Sequence, residues 1–445
     1  MTDRAHTEQN HIFQPVQILD IELSAALPAL TTHHPENEQG YRSILALIWL
    51  HSVALGQVEL QFDGNTLSPE QCAGQIWQAL GARINQHLRQ DSLDDIRELT
   101  AAGISTAEMP ACQHNFMQFL ADAPFVSVIL CTRDRADQLP RCMDAVLALQ
   151  YPAFEVVVVD NAPSSTATED LLRTQYAGFS NVRYVCERRP GLSWARNCGL
   201  ANARGEIVVY LDDDEIPYKN WLGEMIRGFQ AAPDVTCVTG MILPAEIEAP
   251  AQDFLEQFGG LSKGRGFDSD VFDQTTRHKQ NPLYPVPAYG AGGNMAFKTA
   301  ALRQFGGFDV ALGTGTPACG AEDTAAFFDV LIHGGTLVYW PIAIVRHYHR
   351  RDYRGLRKQL YGYGVGLSAY VVRSLLKHPK CILDLLKIVP TTFNYIFNPR
   401  SARVAKMRSN YPHELTRAQY QGMVYGPLAY VRSYWRQRQL GTHTQ

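Results

Sequence analysis

The sequence predicts an α/β protein: a mostly parallel sheet with helices on both faces, preceded by a small strand-and-helix module and followed by a helical tail. Three observations carry this. From Phe125 to Asp214 apolar runs of strand length alternate with segments of helical spacing. Each of those apolar runs ends in polar residues, "CTRDR", "VDNAPS" and "LDDDE". After about Arg350 the chain becomes basic and aromatic, with long helical patterns.

Composition bounds the rest. The chain has 445 residues, 46% apolar and 19% charged, enough for two or three domains with real cores. A net charge of −4 and a pI near 6.4 offer no global attraction to nucleic acid or to an anionic membrane, so any such contact is local. "MTDRAHTEQNHIFQPVQ" lacks an apolar signal core, and no run reaches the roughly 18 apolar residues that a spanning helix needs. The expectation is a cytoplasmic protein. The 9 cysteines lack a CxxC pair, which favours reduced thiols over disulfides or zinc, and Cys131, Cys186 and Cys237 read as small core residues.

Residues 1–122 read as the N-terminal module, of unknown role. "SILALIWLH" and "GQVELQF" are its strands; Ser68, Pro69 and Gln71 open a helix with a capping box, and Ile76, Leu80, Ile84 and Leu88 recur along one of its faces. "RQDSLDDIRELTAAGISTAEMPACQHN" reads as a short helix and linker.

Residues 123–350 form the central domain. "FVSVILCTR", "FEVVVVDNAPS", "VRYVCE" and "EIVVYLDDDE" read as strands; "ADQLPRCMDAVLALQ", "STATEDLLRTQYA" and "GLSWARNCGLANAR" read as the helices between them. In open α/β sheets the ligand sits outside the carboxyl ends of the strands, where these polar residues fall. Four consecutive carboxylates, Asp212 to Glu215, repel one another unless cations or water separate them. At a strand end in a crevice they suit a hard cation such as Mg²⁺ or Mn²⁺. The plainer alternative is a solvated turn.

"FVSVILCTRDR", "FEVVVVDNAPS", "GLSWARNCGLANARGEIVVYLDDDEIP", "GAGGNMAFKTAAL", "GGFD" and "GAEDTAAFFDVLIHGG", in that order, resemble the inverting glycosyltransferases of family 2, which have the nucleotide-sugar-binding GT-A fold. The resemblance implies a nucleotide-diphosphate sugar as donor, a UDP-sugar first, a divalent metal (Mn²⁺ or Mg²⁺) on the diphosphate, and a hydroxyl acceptor on a glycan or lipid-linked carrier in polysaccharide or glycoconjugate synthesis. It implies no nucleic-acid partner. By the same resemblance Asp160 bonds the nucleotide base, Thr132 and Arg133 lie beside the nucleoside, and Arg196 reaches the base or diphosphate. Asp212 and Asp214 match the outer residues of the family's DxD signature, Asp214 on the metal and Asp212 toward the ribose. The acidic Asp213, also expected at the donor, leaves open which pair holds the metal. Asp160 as a helix cap and Arg196 as a surface arginine are the bland alternatives.

Inversion needs one carboxylate to take the acceptor's proton, and Asp323 matches the family's base, with Glu322 beside it assigned to the acceptor. Both open a helix, where the macrodipole favours negative charge. Gly293 and Asn294 are expected under the donor sugar, and His347, sharing one face of an extended segment with His349, is expected to complete the metal shell. A nucleotidyltransferase or a non-catalytic nucleotide-sugar-binding protein are the competing classes; the glycine-rich loop and lysine of the former do not follow the first strand.

Residues 351–445 read as a helical region. Its basic and aromatic residues suit either packing on the central domain or peripheral contact with an anionic membrane. The glycines of "YGYGVG" permit close helix packing, and Lys387 and Pro390 interrupt the run from Cys381 to Phe397, which is therefore not read as spanning.

Overall fold

The computed structural model describes residues 13–38, 40–262, 265–273, 289–383, 386–387 and 410–442. The N-terminal stretch up to residue 12, the segment around Pro390 and the basic run "SARVAKMR" lie outside the described residues. The chain divides into two compact units, Met1–Cys112 with Glu246–Asp253, and Gln113–Ala245 with Phe254–Gln445.

The first unit is built on β1 (Val16–Glu22), β2 (Leu30–Thr31), β3 (Ser43–Leu50), β4 (Val53–Leu60), β5 (Thr66–Leu67) and α1 (Pro69–Gln90). β1 runs parallel to β3, and β3 pairs antiparallel with β4. The capping box at Ser68 and Gln71 forms in full, and Ile76, Leu80, Ile84 and Leu88 are buried against the apolar residues of this sheet, as their spacing predicts. The expected helix beyond Arg89 is absent: the chain from Ser92 to Pro110 is irregular, because Leu93, Ile96, Leu99 and Ile104 fall at spacings that let an open strap reach the same core. Helix α2 (Ala111–Ala121) follows it.

The second unit is a mixed α/β architecture, a central sheet flanked by helices with a C-terminal helical region. Its first half is β6 (Val126–Thr132), α3 (Leu139–Leu147), β7 (Phe154–Asn161), α4 (Ala167–Gln175), β8 (Val182–Glu187), α5 (Leu192–Asn202) and β9 (Ile207–Asp212). These four strands are parallel, in the spatial order β9-β6-β7-β8. The chain steps outward twice and then returns to the other side of β6, so right-handed crossovers set α3 and α4 on one face and α5 on the other. Side chains agree. Val128, Leu130, Val156 and Val158 share a core with Leu139, Met143 and Leu172, whereas the intervening Ile129 meets Gly199 of α5.

The second half adds β10 (Glu215–Pro217), α6 (Trp221–Arg227), β11 (Val235–Pro244), α7 (Pro250–Gln257), β12 (Asp270–Phe272), β13 (Asn294–Lys298), α8 (Thr299–Gln304), α9 (Glu322–Ile332) and β14 (Thr336–His347). β13 pairs antiparallel with both β9 and β11, and β10 and β12 pair antiparallel with β14, so "mostly parallel" holds for the first half alone. Of the cysteines read as core, Cys237 is buried, Cys131 is half-buried and Cys186 is exposed: it alternates outward on β8, the edge strand.

Helices α10 (Tyr353–Lys377) and α11 (His413–Thr442) close this unit. They touch backbone to backbone through glycine, since a Cβ on Gly364 would lie 2.0 Å from the Gln419 carbonyl and one on Gly422 would lie 2.2 Å from that of Tyr361. Arg373 of α10 forks onto the Asp329 carboxylate of α9, and Phe328, Tyr370 and Tyr430 share a core across the three helices. The tail thereby braces the helix that opens with Glu322 and Asp323. No helix among the described residues is long and apolar enough to cross a membrane.

The tightest seam is testable. A Cβ on Gly199 would sit 2.4 Å from Ile129 Cγ2, so Gly199→Ala should cost about 1–3 kcal/mol of stability, read as a lower denaturant midpoint. An unchanged midpoint would mean that α5 is not held this close to the sheet.

Candidate active site

The return of the chain between β8 and β9 makes a topological switch point, with the carboxyl ends of β6 and β9 side by side: Cys131 pairs with Asp212. The acidic run turns at this crevice, and the structure resolves the repulsion by aiming four carboxylates four ways. Asp212 Oδ1 accepts a hydrogen bond from Arg196 Nη2 at 3.3 Å. Asp213 turns inward, its oxygens taken by Thr132 Oγ1 and Arg135 Nη1, each at 2.6 Å. Asp214 accepts from the same Arg135 Nη1 at 3.0 Å through Oδ2, and its Oδ1 lies 3.3 Å from His347 Nε2. Glu215 is buried beneath them and accepts the Asp212 N–H at 3.2 Å.

Electrostatics separates their roles. Burial pushes Asp213 up to about 6 although Arg135 pulls the other way. Burial also opposes ionisation of Asp214, but His347 and Arg135 outweigh it and hold its pKa well below the usual carboxylate range. Burial, then Asp212 and Asp214, push Glu215 well above that range. Asp214 is thus the member of the run most firmly anionic.

His347 belongs to a chain of four groups. Its Nδ1 lies 2.9 Å from His349 Nδ1, and His349 Nε2 lies 2.8 Å from Glu256 Oε1. The carboxylate only accepts, so with neutral rings His349 donates from Nε2 and accepts at Nδ1, and His347 donates from Nδ1. In that form His347 Nε2 has its lone pair beside the Asp214 carboxylate, and the two make adjacent donors for a cation; with Nε2 protonated it donates to Asp214 instead. The 3.3 Å separation of these two atoms suits neighbouring ligands of one small divalent ion, whose bonds to such atoms are about 2.0–2.2 Å. The residues present fit the implied metal, which Asp214 and His347 could hold.

The other expected residues differ in whether their polar groups are already bonded within the protein. Asp160, near the end of β7, is fully buried; its Oδ2 accepts from Tyr184 OH at 3.2 Å, Thr168 also bonds the carboxylate, and burial raises its pKa. Arg133 is half-exposed beside Asp134, 3.6 Å away, and the arginine on the acidic run is Arg135, which the sequence reading missed. Arg196 is not a surface residue: it is 2% exposed and bonds Glu322 Oε1 at 2.8 Å, Asp212, and the Gly292 carbonyl at 3.0 Å, so its donors serve protein groups. The Asn294 amide is likewise spent, donating to the Met241 and Ala343 carbonyls and accepting from Trp221 Nε1. Gly293 is required by Glu215, whose Oε1 would lie 2.3 Å from a Cβ there.

Asp323 lies in the first turn of α9, its Oδ1 fixed by the Thr324 N–H at 2.6 Å. A Cβ on Gly292 would lie 2.9 Å from Asp323 Cβ and 3.0 Å from Arg196 Nη1, so this glycine lets the helix start approach the acidic run. Glu322 is buried, and burial pushes it up to about 7 against the pull of Arg196.

That shift has a sign. The folded chain keeps a proton on Glu322 where the unfolded chain has released it, so stability falls as pH rises from about 4.5 to about 7. Glu322→Gln should lose this component, so the melting temperature of the wild type should fall relative to the variant across that window. Parallel pH profiles would remove the shift.

Residues 127–304 match the model of glycosyl transferase family 2. A glucosyl-dolichyl phosphate glucuronosyltransferase of Haloferax volcanii is 25% identical over 191 residues, 42% of this chain and 57% of the relative. A pre-mycofactocin glycosyltransferase of Mycobacterium tuberculosis is 26% identical over 242 residues, 53% of this chain and 46% of the relative. The chain spans about half the length of these curated relatives. A mannosyltransferase of Pyrobaculum calidifontis, solved with GDP-mannose and Mn²⁺, aligns over 70% of this chain and 92% of its own at 18% identity and a TM-score of 0.44. The crevice residues Thr132, Asp160, Arg196 and the acidic run lie inside the segment that matches the glycosyl transferase family 2 model, whereas Glu322, Asp323 and His347 lie beyond it.

Proposed function

We propose that the chain transfers a sugar from a nucleotide-diphosphate donor, a UDP-sugar first, to a hydroxyl acceptor with inversion. The observation that supports it most is the 3.3 Å approach of Asp214 Oδ1 to His347 Nε2 at the carboxyl ends of the strands. Asp160 accepts from the base, and Asp212, Asp214 and His347 hold the divalent metal. When bound, the metal stabilises charge on the departing diphosphate. Arg135 bridges Asp213 and Asp214, and Arg196 positions Asp212 and Glu322.

Asp323 takes the proton of the acceptor hydroxyl as its oxygen bonds the sugar carbon and the bond to the diphosphate breaks, the nucleoside diphosphate leaving with the electron pair. Oδ1 is tied to Thr324, which leaves Oδ2, beside Gly292, for the proton. No covalent intermediate is needed. Release of nucleoside diphosphate from a panel of nucleotide sugars with Mn²⁺ identifies the donor. With that donor, Asp323→Asn should lower kcat about 10²–10⁴-fold while donor binding is kept. A variant with wild-type kcat would displace Asp323 as the base.

The acceptor is lipid-linked and is met at an anionic membrane surface through α11. Val424, Leu428, Val431 and Trp435 are all exposed, Val424 by 84%, and their helical spacing puts them on one face, with Arg432 and Arg438 beside it. The protein should co-sediment with vesicles containing anionic lipid and less with neutral ones, and Leu428→Asp should abolish the difference. Equal sedimentation of protein and variant would reject the membrane contact.

A further inference from the structure

The first unit holds a second group of ligating side chains, remote in sequence from the acidic run. Among the described residues His51, His87, Asp91 and Cys112 each offer one ligand atom, and these four atoms lie within 4.8 Å of one another. Three of the four residues are buried and Cys112 is half-buried.

Three separate pieces of local structure bring them together. His51 and Ser52 form the two-residue turn between β3 and β4, both with positive φ, 55° and 67°. Residues other than Gly, Asn, Asp and His seldom adopt that conformation, and two in succession without glycine need support. The Glu22 carboxylate sustains it by accepting the N–H of His51 and of Ser52, each at 3.1 Å. His87 and Asp91 stand one turn apart at the end of α1. A Schellman closure fixes that end: Leu93 N–H bonds Leu88 O at 2.8 Å, Ser92 N–H bonds Arg89 O at 3.1 Å, and Ser92 has φ 61°. Cys112 is the second residue of α2, and its N–H donates to Asp91 Oδ1 at 2.7 Å, leaving Oδ2 to the cluster.

Asp91 Oδ2 lies 2.6 Å from His51 Nδ1, 3.1 Å from His87 Nε2 and 3.2 Å from Cys112 Sγ, and Sγ lies 3.8 Å from His87 Nε2. A tetrahedral zinc ion with the usual N, O and S bond lengths separates its ligands by roughly 3.3–3.6 Å. Three of the four distances fall within about 0.3 Å of that range. The fourth, His51 to Asp91, is a hydrogen bond that the ion would replace. The set balances charge as well, since one thiolate and one carboxylate neutralise a divalent ion, which makes its burial affordable in a way that two bare anions are not.

A Cys-His-Asp nucleophile is the competing reading, and the geometry opposes it. In such a triad the carboxylate holds the imidazole nitrogen opposite the one that faces the nucleophile. Here His87 presents the same Nε2 to both Asp91 and Cys112. The four atoms instead lie within 4.8 Å of one another. A surface cavity of about 570 Å³, lined in part by Asp91, Leu93, Ile104 and Met109, gives an ion its approach.

We propose that His51, His87, Asp91 and Cys112 bind a structural Zn²⁺ that ties the β3–β4 turn, the end of α1 and the start of α2 together. Its chemistry differs from that of the acidic run: four protein ligands, one a thiolate, make a closed site.

The full chain, purified without chelator and desalted, should carry about one zinc per chain by elemental analysis. Asp214→Asn should retain that zinc, while Cys112→Ser and His87→Gln should lose it. Co²⁺ added to the stripped wild-type protein should give the thiolate charge-transfer band and the strong visible bands of a tetrahedral site, and Cys112→Ser should lack the charge-transfer band. The cobalt spectrum needs only the wild-type chain, so it decides even if the variants do not fold. Absence of both zinc and the cobalt thiolate band, or full zinc retention in folded Cys112→Ser, would overturn the site.

Discussion

The arrangement of the site depends on one buried cation. Arg196 sits beneath the crevice with Tyr210 and Phe308 at its sides, and its guanidinium binds the end of β9 through Asp212, the start of α9 through Glu322, and the glycine segment through the Gly292 carbonyl. A buried guanidinium is costly unless its partners are in place, and the two carboxylates would repel each other without it. Arg135 repeats the device one layer out by holding Asp213 and Asp214 with one nitrogen. Two arginines thereby turn a self-repelling acidic run into an ordered one.

Close approach is the second constraint. Gly292 and Gly293 stand where any side chain would strike Asp323 and Glu215, so this segment can pass between the acidic run and α9. Asn294, next in line, bolts β13 to its neighbours through the Met241 and Ala343 carbonyls and Trp221. Behind α9, Arg373 of α10 holds Asp329, so the position of Asp323 is set by both the sheet and the C-terminal helices.

The parallel half of the sheet was legible because each strand and helix carries its own period and the polar residues collect at the strand ends. The antiparallel half was not, because an apolar run such as "VTCVTGMILP" is buried along its length and carries no mark of its direction. Roles set by partners were also hidden. Nothing in the order of residues distinguishes Arg133 from Arg135, yet only the latter reaches the run, and Arg196 and Asn294 have groups that suit a ligand but spend them on the fold. His347 was legible as a candidate, but Glu256, which orients it through His349, lies far away in sequence. The His51, His87, Asp91 and Cys112 cluster escaped notice for the same reason: the absence of CxxC argued against zinc, and only the His87–Asp91 spacing along α1 gives a local sign.

If Asp214 and His347 hold a divalent cation, His349 and Glu256 orient His347 toward it. Titration of Mn²⁺ by electron paramagnetic resonance, with nucleoside diphosphate present, tests it on the wild type, Asp214→Asn and His349→Ala. The account predicts one tight Mn²⁺ site in the wild type, its loss in Asp214→Asn, and affinity weakened about 10–100-fold in His349→Ala. Undiminished Mn²⁺ binding by Asp214→Asn would contradict it.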